Sequence, residues 1–359
     1  MAPLNKQASI LGSATEQAAL IVKGLETPAI GEGAGLFRLG GHAADLAGRA
    51  SKYVQGELFS NMSKETQEEL IKTTGADIAF INSRGDTIKY TPSENLMLFF
   101  VLPLLLHQKS QTTDPKNEDT FYKGDKGVEL MPWDTPEGAI QAIAPLLGVN
   151  EYEIARAYKG GAAPSGRDMQ IVSKIINSLE SNPDKRALIS HYRTEKLEGD
   201  KIRKYTIARY EPLVKWHWIT IEDKNEKTGE VIASRKERVL ALNYVYVDQI
   251  ADKYVNIPTD IIKRLIKEHR GGKTPLTTQR LLLYLYRELS AKRYIPHIGL
   301  NAALNKFAPE PMLRGYKKEA LEALKTAIET IKAIGLITKI DQRPGVGGPV
   351  LYFYLTHPL

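Results

Sequence analysis

The chain has 359 residues, 42% hydrophobic and 25% charged, and this composition is typical of a globular protein with two or three domains. It contains no cysteine, which excludes disulfides, thiolate metal sites and cysteine catalysis. The net charge is +7, and the positive charge is concentrated in the final third of the chain. Residues 258–359 hold 17 Lys and Arg against 8 Asp and Glu. Such a basic segment indicates a polyanionic partner, although a solvated basic face without a ligand has the same charge pattern.

The first 62 residues are rich in alanine and glycine, and we interpret residues 1–62 as a flexible or helical N-terminal arm. They lack the basic segment and apolar core of a signal peptide, so we expect a cytoplasmic protein. The stretch GEGAGLFRLGGH has the G-x-G spacing of a dinucleotide loop. No strand is predicted before it and its third interval does not fit, so we do not assign nucleotide binding to it.

Ordered structure is predicted to begin near Ser63, where SKETQEELIKTTG has the pattern of a capped helix. DIAFINSRGDTIKY then predicts a short β-hairpin with Asn-Ser-Arg-Gly-Asp as its turn. TPSENLMLFFVLPLLLH predicts a buried helix with Thr91 as N-cap, because Pro92 suits the first turn and Glu94 completes a capping box. The apolar run Leu96–Leu106 is too short to span a bilayer.

Three more helices are predicted before the chain changes to strands: TPEGAIQAIAPLLGV, NEYEIARAYKGG and PSGRDMQIVSKIINSLES. Apolar residues of the third recur at offsets of three and four, which places them on one face. Its opposite face carries side chains suited to reading base edges, although an ordinary solvated helix face has the same pattern: Arg167, Gln170, Lys174 and Asn177. After Pro183, runs rich in β-branched and aromatic residues predict long strands.

The segment that follows Pro258 begins with a predicted helix and continues with TPLTTQRLLLYLYREL, which repeats the layout of the TPSENL helix. We therefore predict Thr274 as an N-cap. The letters Gly-Gly-Lys-Thr before it do not form a phosphate-binding loop, because Lys267 stands where that motif requires its first glycine. A short YIPHI run, the helix GLNAALNKF, a long helix from about Arg314 to Ile334 and a strand–turn–strand complete the chain.

The order of helix, short strand, helix, long helix and β-hairpin is that of the winged-helix variant of helix-turn-helix, and the sequence predicts it twice. We therefore expect an α+β protein that has two winged-helix domains with a strand-rich segment between them. The first domain is predicted at residues 63–257, with extended β-strands, and the basic C-terminal domain at residues 258–359.

In the C-terminal domain, donors for phosphate or guanine cluster at the start of the long helix and at the hairpin tip. These predicted DNA-binding residues are Arg314, Tyr316, Lys317, Lys318 and Arg343. The C-terminal half of the helix is different, because its charges suit ion pairs along a solvated face: Glu322–Lys325, Lys325–Glu329 and Glu329–Lys332.

From about residue 75 to the C-terminus, the chain resembles the replication initiator proteins of theta-replicating plasmids, the iteron-binding Rep type. The resemblance depends on the element order, on the run KYVNIPTDIIKRL and on the closing GLITKI and GPVLYFYL. It implies binding to double-stranded DNA at repeated origin sites, local duplex opening and recruitment of host replication proteins. It also implies a homodimer in equilibrium with the active monomer.

Other classes of function are less well matched. The seven histidines include no His-x-His pair, and no H-E-x-x-H, G-x-S-x-G or acidic metal cluster is present, so we predict no enzyme, no metal and no cofactor. A winged-helix transcriptional regulator or architectural DNA-binding protein would use the same modules, and it stays open as the alternative. A protein–protein scaffold would show no salt-sensitive affinity for DNA.

Overall fold

The computed structural model describes residues 35–40, 75–79, 82–85, 88–110, 128–133, 142–196, 202–225, 228–246, 254–269 and 273–356. Helices and strands are mixed along these residues, so the chain is an α+β protein, as predicted. Most of the proposed N-terminal arm, the helix expected after Ser63 and the Gly-Gly pair before Lys273 lie outside the described residues. The domain boundaries stay predictions.

The described strands are β1 (Leu36–Gly40), β2 (Gly75–Ala79), β3 (Val128–Trp133), β4 (Ala142–Leu147), β5 (Ala187–Lys196), β6 (Ile202–Glu211), β7 (Val214–Lys224), β8 (Val231–Leu242), β9 (Tyr254–Pro258), β10 (His297–Gly299), β11 (Ile337–Arg343) and β12 (Val350–Leu355). The described helices are α1 (Pro92–Leu96), α2 (Leu102–Ser110), α3 (Glu151–Tyr158), α4 (Gly166–Ser181), α5 (Ile261–Glu268), α6 (Leu276–Ser290), α7 (Leu300–Phe307), α8 (Pro309–Leu313) and α9 (Lys317–Ala333). A π-helical turn, Met97–Val101, joins α1 to α2.

Three strands of one sheet have the same order as the three strands of another. The sheet β3-β4-β8-β7 contains the order β4-β8-β7, and the other sheet is β10-β12-β11, so in both the last strand of the unit lies between the first strand and the second. The chain passes through β4, α3, α4, β7 and β8 in the first unit, and through β10, α7, α8, α9, β11 and β12 in the second unit. The described residues therefore contain one topology twice. In the first unit, β5 and β6 are inserted before β7 and form a separate sheet with β2.

The helix predicted around Leu96–Leu106 is present and buried. Thr91 and Glu94 form the expected capping box, and Pro92 occupies the first turn. Pro103 lacks an N–H, and in a regular α-helix its ring would meet the carbonyl group four residues earlier. The π-turn just before it accommodates this, with the Leu102 N–H donating to the carbonyl oxygen of Met97, so the helix continues to Ser110.

The two Thr-Pro helices meet in the interior. The Gln279 side chain has no exposure, and its Nε2 donates to the carbonyl oxygens of Pro92 (2.9 Å) and Thr274 (2.8 Å). Its Oε1 accepts from Asn95 Nδ2 at 2.8 Å. Thr274 is therefore not the N-cap that the sequence predicts: α6 begins at Leu276, Pro275 holds the cap position without a side-chain hydrogen bond, and Thr274 is buried.

Three segments differ from their predicted secondary structure. Residues 142–147 form β4 instead of a helix, because Pro145 disfavours a helix interior and the run pairs with both β3 and β8. Within the proposed arm, β1 pairs with β9 and buries Phe37 and Leu39 completely, so this part is a core strand. The turn at Asn82–Gly85 forms as expected, but β2 pairs with β5, and the described residues 88–90 after the turn form no strand.

Candidate nucleic-acid interface

Helix α9 lies against the core of the second unit with one face. Leu324 and Ile331 are buried and Leu321 and Ile328 pack partly against the same core, as the apolar spacing predicts. On the exposed C-terminal half, Lys325 pairs with Glu322 at 2.9 Å and Lys332 with Glu329 at 3.4 Å. Two of the three predicted pairs are therefore present on this solvated surface, and the predicted pair between Lys325 and Glu329 is not formed.

A sharp turn precedes α9 and presents the predicted basic cluster. Gly315 has a φ of +79°, which lets the chain reverse between α8 and α9 without the strain that a side chain would cause. The helix begins at Lys317, three residues later than Arg314, so Arg314 and Tyr316 belong to the turn. All four predicted residues here are exposed: Arg314, Tyr316, Lys317 and Lys318.

These exposed side chains have few protein partners. The Arg314 guanidinium lies 5.6 Å from the centre of the Tyr316 ring, and its Nε donates to the carbonyl oxygen of Glu310 at 3.4 Å. Among the described residues, no carboxylate forms an ion pair with Lys317 or Lys318. Two ammonium groups and one guanidinium group at the N-terminal end of a helix form a surface suited to phosphate or guanine.

Helix α8, which the sequence did not reveal, holds this turn in place. Arg280 on α6 donates through Nη1 and Nη2 to the Glu310 carboxylate at 2.8 and 2.7 Å. Burial alone would raise the pKa of Glu310, but the hydrogen bonds and charge of Arg280 hold that pKa below its ordinary value. A bidentate pair restricts orientation as well as distance, so Arg280 positions the turn that follows α8. Pro-Glu-Pro at residues 309–311 reads as a loop, which is why the element was missed.

Arg343 lies at the end of strand β11, not at the hairpin tip. It pairs in register with Val350, so the turn itself is Pro344–Pro349. Its guanidinium stacks 4.5 Å from the centre of the Tyr352 ring, and Nη2 donates to the Tyr354 hydroxyl at 3.1 Å. The side chain is still about half exposed, with 55% of its surface accessible. Its Nη2 also lies 3.7 Å from Asp341 Oδ2, so Arg343 is a half-exposed cation at the base of the hairpin that is ion-paired within the protein.

In the first unit, α4 presents the polar face that the sequence predicts. Ser165 caps the helix and forms a capping box with Asp168. Val172, Ile176 and Leu179 are buried. The four predicted DNA-reading side chains are all exposed on the other face: Arg167, Gln170, Lys174 and Asn177. The structure places this set along α4, the second helix after β4, and the basic set around the start of α9, the third helix after β10.

The described helices include none that is both long and apolar enough to cross a membrane. In the same part of the chain, no three His, Asp or Glu side chains are grouped in a way that could hold a metal ion. Comparisons with models of protein families, with curated proteins and with solved structures found no match to this chain.

Proposed function

We propose that this protein binds double-stranded DNA in a sequence-specific manner through two winged-helix domains, and that it is a replication initiator of the plasmid type. The observation that carries the proposal is the repeated topology of the two units. In each, a short strand precedes the helices, a long helix exposes a polar or basic face, and a β-hairpin closes the sheet. In a helix-turn-helix protein, the corresponding long helix enters the major groove.

In the second unit, α9 would enter the groove with its N-terminal end. Arg314, Lys317 and Lys318 would then contact phosphates or guanine, and Arg343 would contact the backbone beside the groove. The ion-paired C-terminal half of α9 would face solvent, which fits its mutually neutralised charges.

In the first unit, α4 would read bases with a less basic set of side chains. Gln170 and Asn177 can bind adenine in a bidentate manner, and Arg167 can bind guanine. The second unit would then supply most of the electrostatic affinity for DNA, and the first unit would supply a share of the sequence selectivity.

The initiator assignment depends on the resemblance in element order to the iteron-binding plasmid initiators. Under this proposal the DNA sites are repeats beside an AT-rich segment, host replication proteins are partners, and a homodimer dissociates to the monomer that binds.

The test is binding of the purified protein to the DNA upstream of its own gene and to scrambled duplex, across a salt series. We expect sequence-selective binding that weakens steeply with salt, with a log–log slope of about 0.9 per phosphate contact. Arg314→Ala and Lys317→Ala should each weaken binding and reduce the slope by roughly one contact. Lys325→Ala is the matched control, because it removes the same charge from the ion-paired half of the same helix.

Affinity that is indifferent to salt and sequence would remove DNA binding from the proposal. Selective binding without opening of adjacent AT-rich DNA, measured by permanganate reactivity, would leave a winged-helix regulator or architectural protein and would remove the initiator assignment.

A further inference from the structure

A cleft of about 490 Å³ lies where α2, the end of α3 and the start of α5 meet. Clefts of this volume enclose drug-sized ligands. Its apolar lining is formed by four buried residues: Leu104, Leu105, Ala157 and Ile262. Helix α3 belongs to the first unit and α5 to the predicted C-terminal domain, so both parts of the chain contribute to the cleft.

The two carboxylates in the lining are each paired with a cation. Lys109 Nζ lies 2.7 Å from Glu153 Oε1, and Arg264 Nε lies 2.8 Å from Asp260 Oδ2. These four charges cancel in pairs. The net charge of the cleft is therefore set by its remaining two cations, Arg156 and Lys263.

Arg156 is fixed at the end of α3 by two hydrogen bonds to the same residue. The Gly161 N–H donates to the carbonyl oxygen of Arg156 at 2.8 Å, and Arg156 Nε donates to the carbonyl oxygen of Gly161 at 3.3 Å. Gly161 has a φ of +95°, which allows this reversal of the chain. The Arg156 Nη1 and Nη2 atoms donate to no residue that the structure describes, so this edge of the guanidinium is available to a ligand.

Lys263 borders the cleft from the first turn of α5, and its side chain is exposed. Within the described part of the chain, its ammonium group forms no ion pair and no hydrogen bond. The chain at the end of α3 lies against the Lys263 backbone, since a Cβ on Gly160 would come within 2.7 Å of the Lys263 Cα. Arg156 is bonded to Gly161, the next residue, so the two unpaired cations border the cleft where α3 meets α5.

We propose that this cleft binds an organic phosphate monoester, with the phosphate group between Arg156 and Lys263 and the organic part against the apolar lining. A phosphate monoester carries a charge close to −2 at neutral pH, which matches two unpaired cations, whereas a carboxylate would leave one of them uncompensated. A guanidinium can bind phosphate through two parallel hydrogen bonds. Free inorganic phosphate fits less well, because it would leave the apolar lining in contact with water.

This site is separate from the proposed DNA-binding surfaces, because none of its lining residues lies on α4 or α9. A phosphate held by both cations would link the first unit to the start of the C-terminal domain. The inference goes beyond the proposed function and does not depend on it, since the ligand would bind whether or not the protein binds DNA.

The experiment measures binding of 1-naphthyl phosphate to the full-length protein without DNA, by isothermal titration calorimetry. We expect it to bind at least roughly tenfold more tightly than inorganic phosphate, which lacks the apolar body, or 1-naphthol, which lacks the charge. Arg156→Ala and Lys263→Ala should each weaken binding roughly tenfold, because each removes a charged donor to the phosphate. Both side chains are exposed, so the thermal midpoints of the unliganded variants should change little.

Lys267→Ala is the matched control, because it removes the same charge from an exposed position one turn further along α5, outside the cleft lining. It should bind 1-naphthyl phosphate as the wild type does. The proposal is wrong if 1-naphthyl phosphate binds no more tightly than inorganic phosphate, or if both cleft variants bind it as Lys267→Ala does. Binding that is lost in Arg314→Ala and kept in the cleft variants would place the phosphate at the start of α9 and would also overturn the proposal.

Discussion

At the scale of single residues, Glu94 is a buried carboxylate with three hydrogen-bond donors. It is 5% exposed, and it accepts hydrogen bonds from the Thr91 N–H at 2.7 Å, from Ser178 Oγ at 2.8 Å and from Lys185 Nζ at 2.8 Å. Burial alone would raise the pKa of Glu94, but these hydrogen bonds and the Lys185 charge outweigh it, so the pKa lies below its ordinary value. One carboxylate thus joins the start of α1 to α4 and to the turn after α4.

We expect Glu94→Gln to lower the free energy of unfolding by about 3 kcal/mol at pH 7, because Lys185, whose side chain is only 13% exposed, loses its counter-ion. A carboxylate whose pKa is lowered by folding stabilises the protein above the pKa of the unfolded chain. That contribution is lost as the pH falls through the folded-state pKa, so the difference between variant and wild type should shrink in acid. Urea unfolding from pH 7 to pH 3 measures it.

Glu322→Gln is the comparison, because its pair with Lys325 is exposed and should contribute less than about 1 kcal/mol. A difference between Glu94→Gln and the wild type that stays constant with pH would show that ionisation of Glu94 does not stabilise the fold.

At the scale of elements, the end of α3 packs directly on the backbone of α5. Gly160 has a φ of +64°, and a Cβ there would lie 2.7 Å from the Cα of Lys263. Gly161, the next residue, has a φ of +95° but open space around it. The two glycines therefore share the left-handed backbone and differ in whether another helix fills the space.

Alanine at either position should cost about 1–2 kcal/mol of stability, because both adopt a backbone that side chains disfavour. Gly160→Ala should cost roughly 1–3 kcal/mol more than Gly161→Ala. The atoms of Lys263 that the new methyl group would meet belong to the backbone of a packed helix, and they cannot move aside easily. Denaturant midpoints of the two variants give the comparison directly. Equal destabilisation would mean that α3 and α5 are not in close contact.

At the scale of the whole molecule, the contact between α1 and α6, here called the α1–α6 junction, connects α4 and α9, the two proposed DNA-reading helices. Glu94 links α1 to α4 through Ser178, and the Asn95–Gln279 pair links α1 to α6, against which α9 packs. Each amide of the junction is buried and hydrogen-bonded, so leaving one without its partner is costly. The spacing between α4 and α9 is thereby set by internal contacts.

A double-mutant cycle with Asn95→Ala and Gln279→Ala should give a coupling free energy of about 1–2 kcal/mol, because the two side chains share one buried hydrogen-bond network. The cycle with Glu322→Ala and Lys325→Ala, on the surface of α9, should give less than about 0.5 kcal/mol. Additive effects at the buried pair would show that the junction does not couple the two units.

Whether a sequence prediction is correct depends on how far apart in the sequence the interacting residues are. The exposed faces of α4 and α9 and the capping box of Thr91 come from spacings of three or four residues, and they are confirmed. The sequence around Thr274 has the same N-cap pattern as the sequence around Thr91. Thr274 is nevertheless no N-cap, because its position is determined by Gln279, which also binds the carbonyl oxygen of Pro92 on a distant helix. The same holds for Arg343, whose orientation depends on Tyr352 and Tyr354 across the hairpin.

By itself the sequence determined the α+β class, the apolar faces of the long helices and the concentration of positive charge in the final third. These properties are local or additive, since periodicity and charge are present before any tertiary contact forms. Only the tertiary structure decided that β1 and β4 are strands, that Arg280 clamps α8, and that Gly160 lies against the backbone of α5. Each of these depends on residues far apart in sequence, and pairing and packing at such distances override local preference.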